Sequence, residues 1–364
     1  MPTPSWYALQ HADAITSPSL LIDADRVTQN IQTAITLAGG ADRLRPHVKT
    51  HKMAAVTELC LRAGITRFKC ATPAEAGMLA RANVPDALLA YPVVGPNMTR
   101  LLMLVQTYPA TRFSCLIDSE TSAQQLSTTF IDNPIDVYID LNVGMNRTGI
   151  LPADAPRLAA ACANFPGLRL IGLHAYDGHV HDTDLPARTQ HADAAYAQAE
   201  TARQTIETAQ SRPLTLIIGG TPTFAIHARR GAYQLQLGPG TFVFWDAGYA
   251  ATLPDLPFQM AAVLLTRVIS VVDDHTLTLD LGHKAVAAEN PLPRVLFPDY
   301  PNARPVSQSE EHLVVHVPDA LHHVPGEVWY AIPTHICPTV ALYDTVQVVE
   351  NGLVTGSWAV SRGR

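Results

Sequence analysis

The sequence predicts a (β/α)8 barrel joined to a second, mostly β domain. Short apolar, strand-like runs alternate with helical stretches over about residues 25–245. From about residue 255 the sequence instead contains strand-like segments that are separated by turns. The length of 364 residues fits two domains, or one large barrel with an appendage. We place the barrel at 25–250 and the β domain at 1–24 together with 251–364.

The barrel prediction depends on eight strand candidates, which lie at 44–49, 67–71, 87–92, 112–118, 136–142, 168–175, 214–219 and 233–238. Segments between them, such as 73–83 and 185–211, are rich in Ala, Leu, Gln and Glu, as helices are. An open, doubly wound sheet is the alternative. It is disfavoured because no G-x-G-x-x-G follows the first strand.

The β domain is predicted from four further strand candidates, at 261–272, 275–281, 312–317 and 345–349. Asn351-Gly352 is the residue pair typical of a two-residue hairpin turn. The N-terminal segment 1–22 is expected to join this domain, because Ser19–Ile22 is itself strand-like.

Composition excludes several classes of protein. Asp and Glu total 32 against 25 Lys and Arg, so the net charge of −7 argues against binding nucleic acid or a membrane surface. The N-terminus lacks the features of a signal peptide, and no run of about 20 apolar residues exists. Five cysteines in a chain of this length do not indicate a disulfide framework, and we interpret them as reduced thiols. We therefore expect a cytoplasmic enzyme.

The first strand candidate ends in a lysine. Alternation places Arg45, His47 and Lys49 on the barrel interior, and a lysine at the carboxyl end of a barrel strand reaches the catalytic face. A partly desolvated lysine there loses its proton readily and can form a Schiff base. Lys52 is the competing candidate, and an ordinary surface lysine is the plain alternative.

Two glycine-rich loops follow the seventh and eighth strand candidates. They contain Gly219-Gly220-Thr221 and Gly238-Pro239-Gly240-Thr241. These are the loops that commonly bind phosphate in such barrels. A Schiff-base lysine combined with a phosphate site implies pyridoxal phosphate (PLP), although neither signal alone would do so.

The segment 45–52 (RPHVKTHK) resembles the PLP-lysine segment of D-threonine aldolases and metal-dependent D-serine dehydratases. These are fold-type III PLP enzymes, built from an alanine-racemase-like barrel and a β domain. Further matches follow in order at 143–149 (VGMNRTG), 172–178 (GLHAYDG), 219–221 (GGT) and 333–339 (PTHICPT).

The resemblance implies a role for each matching residue. Lys49 would carry the cofactor, Arg147 would face its ring oxygen or the substrate, and Tyr176 would contact it. The phosphate would be held by Gly219, Gly220, Thr221, Gly240 and Thr241. Without this resemblance, an Arg or Tyr at a strand end is more often a structural hydrogen-bonding residue.

A metal pair is expected at His335 and Cys337. In an extended segment, residues two apart point to the same side, and an imidazole with a thiolate suits Zn²⁺ or a similar ion. The resemblance implies a divalent metal here (Zn, Mn or Mg). The aldolases of the family usually have Asp as second ligand, and the dehydratases have Cys. A buried Cys beside a surface His is the plain alternative.

Two further imidazoles, His179 and His181, follow the sixth strand candidate. The resemblance implies that one of them is the base toward a substrate hydroxyl, and the sequence does not distinguish between them. A solvated polar loop is the alternative.

The predicted function is a PLP- and metal-dependent lyase that acts on D-β-hydroxy amino acids. Cleavage to glycine and an aldehyde is favoured, and β-elimination to a keto acid and ammonia is a close second. A metal-free PLP racemase and a non-catalytic PLP-carrying protein are further alternatives. The resemblance also implies a homodimer in which the β domain reaches the partner's active site, with Lys284 at its rim.

Overall fold

The computed structural model describes residues 5–231 and 233–363, which divide into two compact units. The barrel unit comprises 34–49, 57–231, 233–240 and 363, and the β unit comprises 5–33, 50–56 and 241–362. The domain boundaries drawn from the sequence stay a prediction. Residues 1–4, 232 and 364, which those predicted domains include, lie outside the described part.

In chain order the strands are β1 Ser19–Asp23, β2 Arg67–Cys70, β3 Asp86–Pro92, β4 Arg112–Ile117, β5 Ile135–Asp140, β6 Leu168–Ala175, β7 Thr215–Ile218, β8 Leu235–Leu237, β9 Ala262–Val271, β10 Thr276–Leu279, β11 Val295–Leu296, β12 Arg304–Gln308, β13 Leu313–His316, β14 Val328–Pro333, β15 Thr345–Glu350 and β16 Leu353–Ala359. The α-helices are α1 Ala24–Ala38, α2 Ala54–Arg62, α3 Pro73–Arg81, α4 Pro96–Thr107, α5 Glu120–Thr129, α6 Ala155–Ala161, α7 Leu185–Gln210, α8 Phe224–Ala228, α9 Ala247–Thr252 and α10 Ile336–Val340.

The barrel unit contains a sheet of seven parallel strands in the order β2 to β8. Its two edges are joined by residues 44–48, which bridge β8 at Leu237 and β2 at Lys69. Arg45 N–H donates to the Leu237 carbonyl and Val48 N–H to the Lys69 carbonyl, both at 2.8 Å. The predicted barrel is therefore confirmed.

The first predicted strand, 44–49, closes the barrel without being a regular strand. Pro46 accepts a hydrogen bond from Lys69 N–H but has no N–H of its own to return. One bond of the ladder is consequently missing on the side of β2. The expectation of a full strand there was wrong for this reason, whereas its position in the barrel was right.

A buried guanidinium spans the closure. The Arg45 side chain is 1% exposed and donates two parallel hydrogen bonds to the Asp86 carboxylate at the start of β3, of 2.6 and 2.9 Å. Its Nε donates to the side-chain oxygen of Gln236 on β8 at 2.7 Å. The closing segment is thereby tied to two strands through one side chain.

The helices of the barrel unit begin where the sequence offers caps. Thr72 accepts a hydrogen bond from Glu75 N–H, and Pro73 occupies the first helical position, where its missing N–H has no cost. Ser119 caps α5 in the same way by accepting from Ser122 N–H. The loops before these helices are therefore set by local sequence.

The β unit is built around a nine-stranded sheet. Its main path runs β12-β13-β10-β9-β1-β15-β16, and β14 pairs with β9 and β11. The N-terminal strand β1 lies inside this sheet, antiparallel to β9 and parallel to β15. Its Leu21 packs in an apolar cluster with Val263, Tyr330 and Val349.

Strands β15 and β16 form the hairpin that Asn351-Gly352 predicts. Glu350 pairs with Leu353, and the two turn residues have φ values of 52° and 76°. Positive φ at both central positions is the requirement of a type I′ turn. Three strands of this unit, β11, β12 and β14, were missed by the sequence prediction.

We predict that Arg45→Met destabilises the protein by about 3–5 kcal/mol, because it leaves the Asp86 carboxylate without its partner in a largely buried site. Chemical denaturation measures the loss. The matched control is Arg157→Met, which removes an ion pair with Glu120 whose two side chains are exposed. That control should cost at most about 1 kcal/mol. Equal losses in the two variants would contradict a closing role for Arg45.

Candidate active site

The barrel unit contains a cavity of about 330 Å³, a size within the range of small-molecule sites. Three of the predicted site residues line it: Lys49, Arg147 and Tyr176. The remaining wall is formed by His47, Lys69, Ala71, Ala90, Tyr91, Pro92, Thr148 and His174. These residues come from the carboxyl ends of the barrel strands and the loops that follow them, where enzymes of this architecture carry their chemistry.

Three basic side chains surround the Tyr176 ring. The Lys49 Nζ lies 5.5 Å from the ring centre, the Lys69 Nζ 5.8 Å, and the Arg147 guanidinium carbon 5.2 Å. The face of an aromatic ring attracts cations at such distances. This part of the cavity wall is therefore rich in nitrogen donors and suited to an anionic ligand.

Lys69 is a cavity residue that the sequence reasoning missed. It lies on β2 with 2% of its surface exposed. Burial, together with a smaller effect of the nearby cations Lys49 and Arg45, lowers the pKa of Lys69 to about 7. The available signal was a lysine in the interior-facing register of the second barrel strand.

A second missed group is a buried pair at the ends of β5 and β6. His174 Nδ1 lies 2.7 Å from Asp140 Oδ1, and the Thr148 hydroxyl donates to Asp140 Oδ2 at 2.8 Å. With Nδ1 donating to the carboxylate, His174 Nε2 is left as an acceptor. Burial lowers the pKa of His174, which keeps the ring neutral near pH 7.

The loop after β7 is held by its own hydrogen bonds. Gly219 N–H donates to the Ala175 carbonyl at 3.3 Å, and Gly220 N–H donates to the Thr223 hydroxyl at 3.1 Å. A side chain at Gly220 would meet the Tyr176 ring at 3.0 Å. Glycine therefore lets the aromatic ring approach closely here, whatever the loop binds.

The loop after β8 touches the loop after β7. Gly240 N–H donates to the Thr221 hydroxyl at 3.0 Å, and both residues are buried. The predicted phosphate residues Gly219, Gly220, Thr221 and Gly240 are thus brought together within the barrel unit.

The two candidate bases occupy different surroundings. A side chain at Gly144, whose φ is +127°, would meet the His179 ring nitrogen Nε2 at 2.6 Å, so this ring lies directly over the glycine. His181 lies beside Asp182, whose pKa it helps to lower after the larger effect of His191. Both histidines are exposed, and neither lines the cavity described above.

The predicted metal pair lies in the β unit, and its local geometry differs from the prediction. His335 is the N-cap of α10, and Cys337 lies inside that helix, so the segment is not extended. The two side chains nevertheless interact. The effect of Cys337, with that of the Glu289 carboxylate 2.5 Å from His335 Nδ1, raises the pKa of His335 to about 9. Helix initiation, not strand alternation, brings the pair together.

Two hydroxyls lie against the Cys337 sulfur: Thr50 Oγ1 at 3.2 Å and Thr241 Oγ1 at 3.4 Å. Asp246 accepts a hydrogen bond from Ile336 N–H at 3.0 Å and so holds the first turn of α10. Thr241, expected at a phosphate, is therefore placed beside the predicted metal ligand. Among residues 5–231 and 233–363, no group of three or more His, Cys, Asp and Glu side chains is arranged to hold a metal.

The residues fit the two groups that the sequence implies. The cavity supplies an amine for covalent attachment, cations for anionic oxygens and an aromatic wall. The imidazole and thiol of His335 and Cys337 are donors that suit a borderline metal ion, and Glu289 orients the imidazole as carboxylates do around metal-bound histidines.

Comparison with known proteins identifies the family. Residues 22–246 match the alanine racemase N-terminal domain, and residues 261–349 match the putative serine dehydratase domain. The chain is 30% identical to a D-threonine aldolase from an Arthrobacter species over 95% of this chain and 92% of that protein. The chain belongs to the D-threonine aldolase family.

Other members of this family share the full length of the chain. A 3-hydroxy-D-aspartate aldolase of Paracoccus denitrificans is 29% identical over 96% of this chain and 93% of its own. The crystal structure of D-threonine aldolase from Filomicrobium marinum superposes with a TM-score of 0.89 at 29% identity, covering 99% of this chain and 98% of that one. The predicted resemblance and fold class are both confirmed.

The helices described for this family member include none with the length and apolar character needed to cross a bilayer.

We predict that Lys69 makes stability depend on pH between about 7 and 10. The folded-state pKa of about 7 lies below the ordinary value, so the unfolded chain binds more protons in this window and stability rises with pH. The free energy of unfolding is expected to rise by about 1.4 kcal/mol per pH unit through Lys69. The measurement is the unfolding free energy of the wild type minus that of Lys69→Met at each pH, on protein stripped of small molecules.

The matched control is Lys284→Met, because the exposed Lys284 ammonium pairs with Glu310 and Glu311, which raise its pKa. Its difference from the wild type should stay flat over the same window. A flat difference for Lys69→Met as well would show that Lys69 is charged in the folded protein.

Proposed function

We propose that this protein is a PLP- and divalent-metal-dependent lyase of D-β-hydroxy amino acids, which cleaves them to glycine and an aldehyde. The observation that carries the proposal is the cavity in which Lys49, Arg147 and Tyr176 meet, in a chain similar over its whole length to a D-threonine aldolase. The D configuration of the substrate is implied by the family.

Lys49 is the residue proposed to hold the cofactor covalently, with Tyr176 as its contact. Thr221, Gly219, Gly220, Gly240 and Thr241 are proposed at its phosphate. When bound, PLP supplies an electron sink for the bond that breaks at Cα. Lys49 is half-buried on the cavity wall, where its amine lies 5.5 Å from the centre of the Tyr176 ring.

Arg147 is proposed to bind an anionic oxygen, either of the substrate carboxylate or of the cofactor ring. Its guanidinium lines the cavity close to Tyr176, where a planar donor can hold a carboxylate with two hydrogen bonds. Lys69 adds a second amine to the same wall. Together they orient the substrate before any bond breaks.

His335 and Cys337 are proposed to hold the divalent metal, which is Zn, Mn or Mg. The metal would supply Lewis acidity toward the β-hydroxyl of the substrate. The short contact of Glu289 with His335 and the Thr50 and Thr241 hydroxyls near Cys337 support this assignment, because they orient both ligands.

His179 is proposed as the base that accepts the β-hydroxyl proton at its imidazole. Its ring lies over Gly144, in the loop that also carries Arg147. Loss of this proton drives cleavage of the Cα–Cβ bond and releases the aldehyde. His181 is the alternative base, and its position beside Asp182 favours it less.

A dehydratase is the second candidate function. Cys337 is the residue that dehydratases of the family have at this place, and residues 261–349 match the putative serine dehydratase domain. In that reaction Lys49 Nζ would take the Cα proton and the β-hydroxyl would leave, so that hydrolysis yields a keto acid and ammonia. A metal-free racemase would use the same proton without losing the hydroxyl.

The assembly proposed is a homodimer in the cytoplasm, with an amino acid as the small-molecule partner. Five free cysteines, four of them buried, are consistent with a reducing compartment. Lys284, proposed at the rim of the partner's site, is exposed and paired with two glutamates.

The proposal predicts glycine and an aldehyde when the purified protein is incubated with PLP, Mn²⁺ or Zn²⁺ and a panel of D-β-hydroxy amino acids. Chromatography of glycine and a coupled aldehyde assay measure the products, and Lys49→Ala provides the inactive background. Ammonia with a keto acid would instead establish the dehydratase. Activity that survives complete removal of metal by a chelator would contradict the metal role and favour the racemase.

We predict that His179→Gln lowers kcat by about 10²–10⁴-fold, because a positioned general base contributes that much. His181→Gln is the matched control, two residues away and equally exposed, and should change kcat less than about threefold. Steady-state kinetics on the substrate identified above measure both. The reverse ranking would assign the base to His181.

A further inference from the structure

A buried polar relay connects the loops after β6 and β7. The Asp177 carboxylate accepts a hydrogen bond from the Thr223 hydroxyl at 2.8 Å through Oδ1. The Thr223 oxygen in turn accepts from Gly220 N–H at 3.1 Å. Asp177 Oδ2 lies 2.7 Å from His227 Nε2, and Asp177, Thr223 and His227 are all completely buried.

The tautomer of His227 follows from its contact with Arg230. The Arg230 Nε–H points at His227 Nδ1 at 3.4 Å, so Nδ1 is the acceptor and Nε2 carries the hydrogen that is donated to Asp177. Both carboxylate oxygens of Asp177 are therefore matched by donors on the short helix α8 and on the residue before it. A buried carboxylate without such donors would be strongly unfavourable.

The relay acts on two elements of the proposed PLP site at once. Gly220 belongs to the loop proposed to bind the phosphate, and the Gly220 N–H donates its hydrogen bond to the Thr223 hydroxyl. Asp177 directly follows Tyr176, whose ring packs against Gly220. One carboxylate thus fixes both the position of the loop and the position of the ring that touches it.

We propose that Asp177, Thr223 and His227 are positioning residues for the cofactor: they preorganise the loop 219–221 and Tyr176 so that a phosphorylated, ring-bearing ligand binds without reordering them. This inference depends on the proposed function. None of the three residues lines the cavity, and each acts through Gly220 or Tyr176. Preorganisation of this kind raises affinity because the loop is already ordered before the ligand arrives.

The test is an equilibrium titration of the cofactor-free protein with PLP, followed by the near-visible absorption of the bound form. Thr223→Val keeps the shape of the side chain but removes the hydroxyl, and with it two hydrogen bonds. We expect its Kd for PLP to rise about tenfold or more. Thr223→Ser restores the hydroxyl and should return the Kd to within about twofold of the wild type.

Thr201→Val is the matched control, because the Thr201 hydroxyl bonds only within the exposed face of α7, to the Ala197 carbonyl at 2.8 Å. Its Kd should equal that of the wild type. Melting temperatures of the cofactor-free proteins are measured in parallel. If Thr223→Val does not fold, Thr223→Ala is titrated in its place with the same expectation.

Several results would overturn the inference. A lower melting temperature for Thr223→Val with an unchanged Kd would make the relay purely structural. Equal weakening by Thr223→Ser and Thr223→Val would show that the hydroxyl is not the cause. Normal PLP binding by the wild type and by Thr223→Val would remove this inference and leave the proposed function intact. Absence of PLP binding by the wild type would remove both.

Discussion

Closure of the barrel depends on the Arg45 guanidinium and on the five-residue segment 44–48 that contains it. Residues 44–48 are the only connection between β8 and β2 in the described part of the sheet, and Pro46 leaves one ladder bond unmade. Arg45 compensates because its buried guanidinium donates hydrogen bonds to the side chains of Asp86 and Gln236. Lys49 follows this segment immediately, so the residue proposed to carry the cofactor takes its position from the element that completes the barrel.

The basic side chains of the cavity lie close to two buried acids. Lys49, Lys69 and Arg147 face the cavity, while Asp140 is hydrogen-bonded to His174 and Thr148, and Asp177 to Thr223 and His227. Burial is the largest cause of the lowered pKa of Lys69, and the charges of Asp140 and Asp177 oppose it. An anionic ligand bound beside Lys69 would likewise favour the charged form of its amine.

The parts of this molecule that follow from local or periodic signals were predictable. The alternation of strand-like and helical segments predicted the barrel, and Asn351-Gly352 predicted the hairpin. The lysine at the end of the first strand candidate lies on the cavity wall, as expected. The Asp140–His174 pair and the Asp177 relay were not predictable, because each joins residues 34 to 50 positions apart in different elements of the fold.

His335 and Cys337, proposed to hold a metal, show how two side chains can lie close together in a geometry other than the one expected from the sequence. An extended strand was expected to make His335 and Cys337 point the same way, whereas α10 begins directly after His335 and contains Cys337. Sequence spacing alone does not separate these cases, because His335 itself has an extended backbone and precedes the helix, so its side chain can still approach Cys337. The first turn of α10 is set by Asp246, far away in the chain.

The hydrogen bonds within the loop after β7 have a consequence for how such chains change over time. The N–H groups of Gly219 and Gly220 are used inside the protein, and the Tyr176 ring leaves little room for a side chain at Gly220. A descendant that abandoned its ligand would still favour these glycines. The Thr221 hydroxyl is held as well, because it accepts a hydrogen bond from the buried Gly240 N–H. Retention of residues 219–221 in a relative would therefore show that it has kept the loop, and would leave open whether it has kept the chemistry.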